Sequence, residues 1–159
     1  MSTANKNLSD FDKTKLPGVA LRNFAIVVSE WNAEITEALY NGCYQTLVEA
    51  GVKTEHIKRI NVPGSFELTS GARLVAEDHN IDAVICLGCV IQGETRHFDF
   101  ICNAVANGLT QLCINYRKPF IFGLLTPNNM QQAQDRAGGK HGNKGVEAAV
   151  TAIKMVALF

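Results

Sequence analysis

The sequence predicts an α/β fold in which helices cover both faces of a parallel sheet. Short, almost continuous apolar segments alternate with longer segments whose apolar residues recur at helical spacing. Continuous apolar segments are typical of strands that are buried on both faces, as in parallel sheets. The length of 159 residues fits one domain, and 47% apolar residues is an ordinary globular content.

The first elements follow a polar arm. Residues 1–18 are predicted to form this arm, which we expect to be disordered unless a neighbour holds it, and residues 19–159 form a single domain. The first strand covers 24–28. Asn32 is expected to cap the next helix, and Gly51 to end it.

The second strand, 57–62, is interrupted by polar side chains and therefore suits an edge of the sheet. Ser65 is expected to cap the helix that follows it. The third strand, 83–91, is nearly all apolar, which predicts a central position. His97 opens the long helix that comes next.

The last strand covers 120–125, and two helices are predicted at 128–137 and 145–158. The glycine-rich segment between them, 138–145, is expected to be a flexible hinge. The order of elements predicts a flavodoxin-like three-layer sandwich with strand order 2-1-3-4. Ligands bind such sheets at the carboxyl ends of the strands, beside the point where the strand order reverses.

Composition and charge exclude several classes of function. The 15 basic residues balance the 15 acidic ones, which argues against a nucleic-acid partner. No apolar segment approaches the roughly 20 residues of a membrane span. Charged residues make up only 19%, which indicates surface covered by other subunits.

The cysteines indicate a reducing compartment, so the expected location is the cytoplasm. There are five, an odd number, and most lie in apolar segments. Cys86 and Cys89 have the spacing of a redox motif, but residues three apart on a strand point to opposite faces. We therefore predict packing thiols without a redox or metal role.

Several chemically useful side chains follow the strands at their carboxyl ends. Trp31 comes after the first strand, Phe66 and Glu67 after the second, and His97 after the third. Taken singly, the aromatic residues could serve packing or an interface, Glu67 could complement a helix dipole, and His97 could be structural. Their convergence at the usual ligand site of the fold favours a binding or catalytic role.

An anion site is predicted at the turn formed by Gly93, Glu94 and Thr95. Backbone N–H groups at the start of a helix attract negative charge. A phosphate would also require an arginine, for which Arg96 and Arg136 are the candidates.

Five segments resemble the signatures of the 6,7-dimethyl-8-ribityllumazine synthase family: VPGSFE at 62–67, GCVIQGETRHFDF at 88–100, FIFG at 120–123, RAGGK at 136–140 and GNKGVE at 142–147. The resemblance extends from about residue 19 to the C-terminus, with the motifs in order. It excludes the arm.

This resemblance implies a transferase that acts in the penultimate step of riboflavin biosynthesis. The two small-molecule substrates would be 5-amino-6-(D-ribitylamino)uracil and 3,4-dihydroxy-2-butanone 4-phosphate, and phosphate and water would leave. No metal and no organic cofactor are implied. A homo-pentamer is implied, and the compact 138–145 segment resembles that of members that build shells of 60 subunits. A riboflavin synthase partner is a further expectation from the family.

The resemblance also implies roles for individual residues. His97 would be the general acid/base, and Trp31 would stack on the pyrimidine, where most relatives have phenylalanine. The uracil and ribityl subsite would be lined by Ser65, Phe66 and Glu67, and by backbone groups of Cys89, Val90 and Ile91. Glu94 and Thr95 would bind the phosphate through their N–H groups.

The adjacent subunit would contribute Phe122 and Arg136, with Arg136 gripping the phosphate, and Lys144 would reach the ribityl chain. Gln92 replaces the arginine common in the family, and Arg96 inherits no role. Two alternatives stay open at this point: a flavodoxin-like flavin-binding protein and a non-catalytic shell protein of the same fold. The first would require a phosphate loop rich in glycine and hydroxyl groups after the first strand, but residues 29–34 are acidic and bulky.

Overall fold

The computed structural model describes residues 7–159 and confirms the predicted architecture. Four parallel strands form one sheet in the order β2-β1-β3-β4. The strands are β1 Phe24–Ser29, β2 Ile57–Val62, β3 Ala83–Cys89 and β4 Phe120–Leu125. The helices are α1 Ala33–Glu49, α2 Leu68–Ala76, α3 His97–Asn115, α4 Met130–Asp135 and α5 Lys144–Val156.

The sheet separates two apolar clusters. On one face, alternate strand residues pack against α1, α4 and α5, for example Ile26 with Leu39 and Ile153. On the other face, the intervening strand residues pack against α2 and α3, for example Val27 with Leu68. The alternation of side chains along each strand thus supplies both layers of the core.

Strand positions agree with the predictions from polarity. Every residue of β3 is buried, whereas β2 is partly exposed at the edge of the sheet. Cys86 belongs to the cluster on the α2 and α3 face and Cys89 to the opposite one, which confirms that their thiols point apart. All five cysteines are free.

The prediction that Ser65 caps a helix is wrong. The cap position of α2 is Glu67, and the Ser65 Oγ atom has no hydrogen-bond partner within residues 7–159. Ser65 instead lies in a tight turn in which its carbonyl accepts from the Leu68 N–H at 3.2 Å. Because of this turn the helix begins only at Leu68, so the Ser65 hydroxyl is not in a capping position.

The segment after β4 also differs from the prediction. The helix expected at 128–137 spans only Met130–Asp135, and the expected hinge is a small antiparallel hairpin formed by β5 Ala137–Gly139 and β6 Gly142–Asn143. Positive φ angles at Gly138 and Gly142 allow the chain to turn there. The prediction of a flexible hinge is therefore wrong, because backbone pairing gives this segment a defined conformation.

Part of the predicted arm, residues 1–6, lies outside the described residues. Residues 7–18 pack on α1 and on the hairpin of their own chain. Lys13 forms an ion pair with Glu49 at 2.5 Å, and Leu16 packs against the core. Among residues 7–159, no helix is long and apolar enough to cross a membrane.

Candidate active site

Loops from neighbouring strands form a crevice at the carboxyl end of the sheet. The Glu30 N–H donates to the Val62 carbonyl at 2.8 Å, and the Trp31 N–H donates to the Pro63 carbonyl at 3.1 Å. These bonds continue the pairing of β1 with β2 beyond the strands. Trp31 and Phe66 are 73% and 55% exposed. The paired loops after β1 and β2 therefore each present an aromatic ring to solvent. Exposed aromatic rings of this kind favour a ligand or a partner.

Asn32 connects the first loop to the end of β3. Its Nδ2 donates to the Cys89 carbonyl at 2.9 Å, and its side chain makes no capping bond to α1. It is the only non-glycine residue with positive φ among residues 7–159. Asn32 occupies the N-cap position of α1, as predicted, but its side chain bonds to β3 instead of capping the helix, a role that the tolerance of asparagine for left-handed backbone could have indicated.

Two polar side chains in the loop after β2 make no hydrogen bond within residues 7–159. Ser65 is buried beside Gly88, where a Cβ atom would lie 2.8 Å from its hydroxyl. Glu67 is half-buried, and its carboxylate makes no hydrogen bond or ion pair within the described residues. A Cβ atom at Gly64 would lie 3.0 Å from Glu67 Oε2, so the carboxylate lies over this glycine. The Glu67 carboxylate is therefore available to a ligand, whereas the Ser65 hydroxyl is shielded from solvent.

Backbone groups just beyond β3 are partly engaged. The Cys89 carbonyl accepts from Asn32, and the Val90 N–H donates to the Leu125 carbonyl at 2.9 Å. The carbonyl groups of Val90 and Ile91 have no partner within residues 7–159 and are free to accept hydrogen bonds. Burial raises the pKa of the Cys89 thiol to about 12, with Cys102 as a smaller cause, so this thiol stays neutral.

The predicted anion site lies at the start of α3. The N–H groups of Glu94 and Thr95 donate to no acceptor in the described part of the chain, and both residues are exposed. The Thr95 hydroxyl accepts from the His97 N–H at 3.4 Å. Free N–H groups before a helix of 19 residues have the arrangement that attracts a phosphate.

His97 is the first residue of α3, and its exposed imidazole makes no hydrogen bond within residues 7–159. Its neighbour Arg96 is turned along the helix. The Arg96 Nε atom lies 3.8 Å from Asp99 Oδ2, and its guanidinium lies 5.9 Å from the centre of the Phe100 ring. The imidazole is therefore free to meet a substrate, whereas Arg96 has local partners.

The remaining predicted residues do not join the crevice of the same chain. Phe122 lies in the middle of the edge strand β4, separated from β1 by β3, and it is 40% exposed. Arg136 follows α4 on the α1 face, half-buried, and makes no ion pair with residues 7–159. Lys144 Nζ lies 2.7 Å from Glu147 Oε1 on its own helix.

The crevice is open in the single chain. Cavities of about 530 and about 180 Å³ lie elsewhere, and neither is lined by a predicted site residue. The larger one lies near Arg22, Asp82 and Lys118, at the amino-terminal end of the sheet. Within residues 7–159, no group of three His, Cys, Asp or Glu side chains could hold a metal ion.

Comparison with known proteins gives a consistent result. The family described as 6,7-dimethyl-8-ribityllumazine synthase matches residues 22–159. A protein of that name from Cytophaga hutchinsonii is 59% identical over 157 residues, covering 99% of this chain and 98% of its own length. Those from Flavobacterium johnsoniae and Parabacteroides distasonis are each 56% identical, covering 98% of this chain and 82% and 98% of their own lengths. The chain belongs to the 6,7-dimethyl-8-ribityllumazine synthase family.

The comparisons treat the arm in two ways. The lumazine synthase family match begins at residue 22 and leaves out the N-terminal arm. The alignment with the Cytophaga lumazine synthase covers 99% of the chain and therefore includes most of the arm.

Proposed function

We propose that the chain condenses 5-amino-6-(D-ribitylamino)uracil with 3,4-dihydroxy-2-butanone 4-phosphate to give 6,7-dimethyl-8-ribityllumazine, with release of phosphate and water. The observation that carries this proposal is the convergence of the loops bearing Trp31, Phe66, Glu67 and His97 at one crevice, in a member of the lumazine synthase family. Each group has the chemistry that one part of the two substrates requires.

The uracil lies against the rings of Trp31 and Phe66, since a flat heterocycle stacks well on exposed aromatic surface. Its polar edge meets the unpaired carbonyl groups of Val90 and Ile91. The ribityl hydroxyls donate to Glu67, and Ser65 lines the same subsite from a buried position.

The phosphate of the second substrate binds the N–H groups of Glu94 and Thr95, where the helix dipole of α3 favours negative charge. This site requires the Glu94 side chain to point towards solvent, and the residue is exposed. A guanidinium supplies the bidentate partner that the phosphate lacks in this loop. Arg136 of an adjacent subunit takes that place in the proposal.

The reaction moves a proton in each of its steps. The 5-amino group attacks the ketone and water leaves to give an imine, phosphate is then eliminated with cleavage of its C–O bond, and the ribitylamino nitrogen closes the ring on the second carbonyl with loss of another water. His97 carries these protons, because an imidazole both donates and accepts protons near neutral pH. Holding the two substrates together in the correct orientation supplies much of the remaining acceleration.

A shared site requires an oligomer, and we place Phe122, Arg136 and Lys144 in the pocket of the neighbouring subunit of a pentamer. The exposure of Phe122 on an edge strand supports this placement. Other large apolar side chains are also exposed, among them Leu21 at 81% and Ile114 at 72%. Such exposure favours association, and the balanced charge of the chain opposes it little.

The proposal extends to a shell of 60 subunits, a cytoplasmic location and docking of a riboflavin synthase, all carried over from the family resemblance. The compact segment between Gly138 and Gly145 supports the shell, since it forms a tight hairpin without an insertion. Light scattering on the purified chain tests this part of the proposal. A particle of pentamer size alone would exclude the shell and leave the reaction untouched.

Incubation of the purified chain with both substrates tests the reaction, and we expect lumazine fluorescence to appear. Trp31 is the only tryptophan of the chain, so its own fluorescence reports on the uracil subsite. We expect the aminouracil to quench it and inorganic phosphate to leave it nearly unchanged. Absence of product from a folded oligomer would overturn the proposed function.

Mixing variants tests whether the site is shared. Chains carrying His97→Asn and chains carrying Arg136→Ala are unfolded together in equal amounts and refolded into mixed rings. If each site joins two chains, about a quarter of the sites regain both native residues. Activity above that of either variant alone supports sharing, and activity no greater than their average contradicts it.

A further inference from the structure

The hairpin between Arg136 and Lys144 holds these two residues together. Its strands pair Ala137 with Asn143, and the Lys144 N–H donates to the Arg136 carbonyl at 2.8 Å. Both predicted ligand residues thus leave the open end of one short hairpin. A change in the shape of its turn would therefore move both side chains.

The N-terminal arm binds the tip of this hairpin. The Leu8 N–H donates to the His141 carbonyl at 2.7 Å, and the Asn143 N–H donates to Ser9 Oγ at 3.0 Å. These contacts lie on either side of Gly142. The arm thus supplies a donor for the His141 carbonyl and an acceptor for the Asn143 N–H. Backbone polar groups that leave water need such partners.

Gly142 makes this close contact sterically possible. Its φ of +81° is a conformation that side chains rarely adopt, and a Cβ atom there would lie 2.1 Å from Asn7 Oδ1 and 2.8 Å from Leu8 N. Asn7 is itself fixed, because its Oδ1 accepts from the Ser9 N–H at 2.9 Å. The arm and the turn therefore fit only with glycine at this position.

The arm is anchored to α1 as well. The ion pair of Lys13 with Glu49 and the packing of Leu16 against the core hold its second half. On the other side of the hairpin, Asn143 Nδ2 donates to the Ala38 carbonyl of α1 at 2.9 Å. The hairpin is thus held between α1 and an arm that is fastened to the same helix.

We propose that Asn7, Leu8 and Ser9 are positioning residues for Arg136 and Lys144, through their contacts with the turn at Gly142. This inference rests on the proposed function, because it assigns to the arm an effect on the phosphate and ribityl contacts of that reaction. Binding of a phosphate by a guanidinium fork depends on its direction as well as its charge. Loosening the hairpin therefore weakens the butanone phosphate while the stacked uracil ring keeps its contacts.

The test is Ser9→Ala in the full chain, with initial rates measured while each substrate is varied in turn. We expect the KM for the butanone phosphate to rise about two- to tenfold, the range expected for loss of one hydrogen bond. The KM for the aminouracil should change much less. Ser9→Thr retains the hydroxyl and should restore the native value, and Leu8→Pro, which removes the N–H donor, should repeat the effect of Ser9→Ala.

Thr14→Ala is the matched control. It also removes a hydroxyl from the arm, but within residues 7–159 Thr14 Oγ1 bonds only to Asp12, at 2.7 Å, and makes no hydrogen bond to the hairpin. We expect native KM values for this variant. Light scattering on every variant establishes that the assembly has its native size.

Each outcome has a definite meaning. A Ser9→Ala chain with both KM values unchanged, or with both raised equally, would overturn the positioning role. A native chain that makes no lumazine would overturn the proposed function instead, so the two failures are distinguishable. A selective rise that Ser9→Thr reverses supports the positioning role.

Discussion

The two groups of proposed site residues lie in differently built regions. Trp31, Phe66, Glu67 and His97 lie in or just after the loops that follow β1, β2 and β3, and backbone bonds such as Val90 N–H to Leu125 C=O continue the sheet into these loops. The hairpin residues, Arg136 and Lys144, lie after the short helix α4, and two hydrogen bonds to the N-terminal arm hold their turn, one between backbone groups and one to the Ser9 hydroxyl. One region takes its geometry from the sheet and the other from a few separate hydrogen bonds.

This difference indicates how each region tolerates change. Loops that extend a fully buried sheet stay in place when one exposed side chain is replaced, because the core and the backbone bonds are unaffected. A hairpin held by single bonds transmits a remote substitution to its ligand residues. Variants of the crevice should therefore act on the step that each side chain performs, and variants near the hairpin should act on substrate affinity.

The largest effect is expected in the crevice. His97→Asn should lower kcat by about 10²–10⁴-fold, the contribution typical of general acid/base catalysis, while the fold is preserved because the residue is exposed. Steady-state rates and circular dichroism measure the two quantities. An unchanged kcat would mean that His97 does not carry protons in the reaction and that the crevice residues only position the substrates.

Arg136→Ala should have the next largest effect and the clearest selectivity. Loss of a charge-assisted bond worth about 1.5–3 kcal/mol should raise the KM for the butanone phosphate about ten- to a hundredfold. The KM for the aminouracil, measured in the same assays, should stay near its native value. Equal weakening of both substrates would mean that Arg136 serves the assembly rather than the phosphate.

Asn32 is the exception within the crevice, because a side chain rather than the backbone joins its loop to β3. Asn32→Ala should lower the free energy of unfolding by about 1–2 kcal/mol, since it loses the bond to Cys89 and places alanine in left-handed backbone. Asn32→Gly loses only the bond and should be less destabilised. Urea unfolding compares the two, and equal stability of both variants would contradict the contribution of backbone strain.

The smallest effect concerns a surface ion pair outside both regions. Arg59 of β2 donates to Glu37 of α1, at 2.9 Å between Nη1 and Oε2, which holds the pKa of this carboxyl below its ordinary value of 4.5. A lowered pKa means that the pair stabilises the fold above that pH and that this contribution is lost as the pH falls through the lowered pKa. For an exposed pair the contribution is about 0.2–1 kcal/mol.

Glu37→Gln should therefore reduce stability at neutral pH and make the loss of stability in acid less steep. Urea unfolding at neutral and acidic pH measures both changes. Glu55→Gln is the matched control, because the Glu55 carboxylate lies 3.9 Å from Lys53 and has no closer partner among the described residues. A Glu37→Gln chain with the same pH profile as the native chain would contradict this assignment.

Prediction from the sequence was more accurate for the sheet than for the hairpin region. The bounds of β2 and β4 and the burial of β3 agree because hydrophobic patterning reports directly on burial in a sheet. The end of α4 and the hairpin were mispredicted, since pairing of a few glycine-rich residues leaves no periodic signal. The bond of the Asn32 side chain to Cys89 and the failure of Ser65 to cap α2 were not predicted, because both residues are good helix caps in isolation and only the fold gives them other surroundings.

By itself, the sequence determined the fold class, the strand order and the family, because apolar periodicity and contiguous motifs are local properties of the chain. Only the tertiary structure decided which of those residues meet. It brings Trp31, Phe66 and the start of α3 to one crevice, leaves Phe122 on an open edge, and ties an arm at residues 7–9 to a turn more than a hundred residues later. Such contacts depend on how distant segments pack, and no local pattern of side chains encodes that.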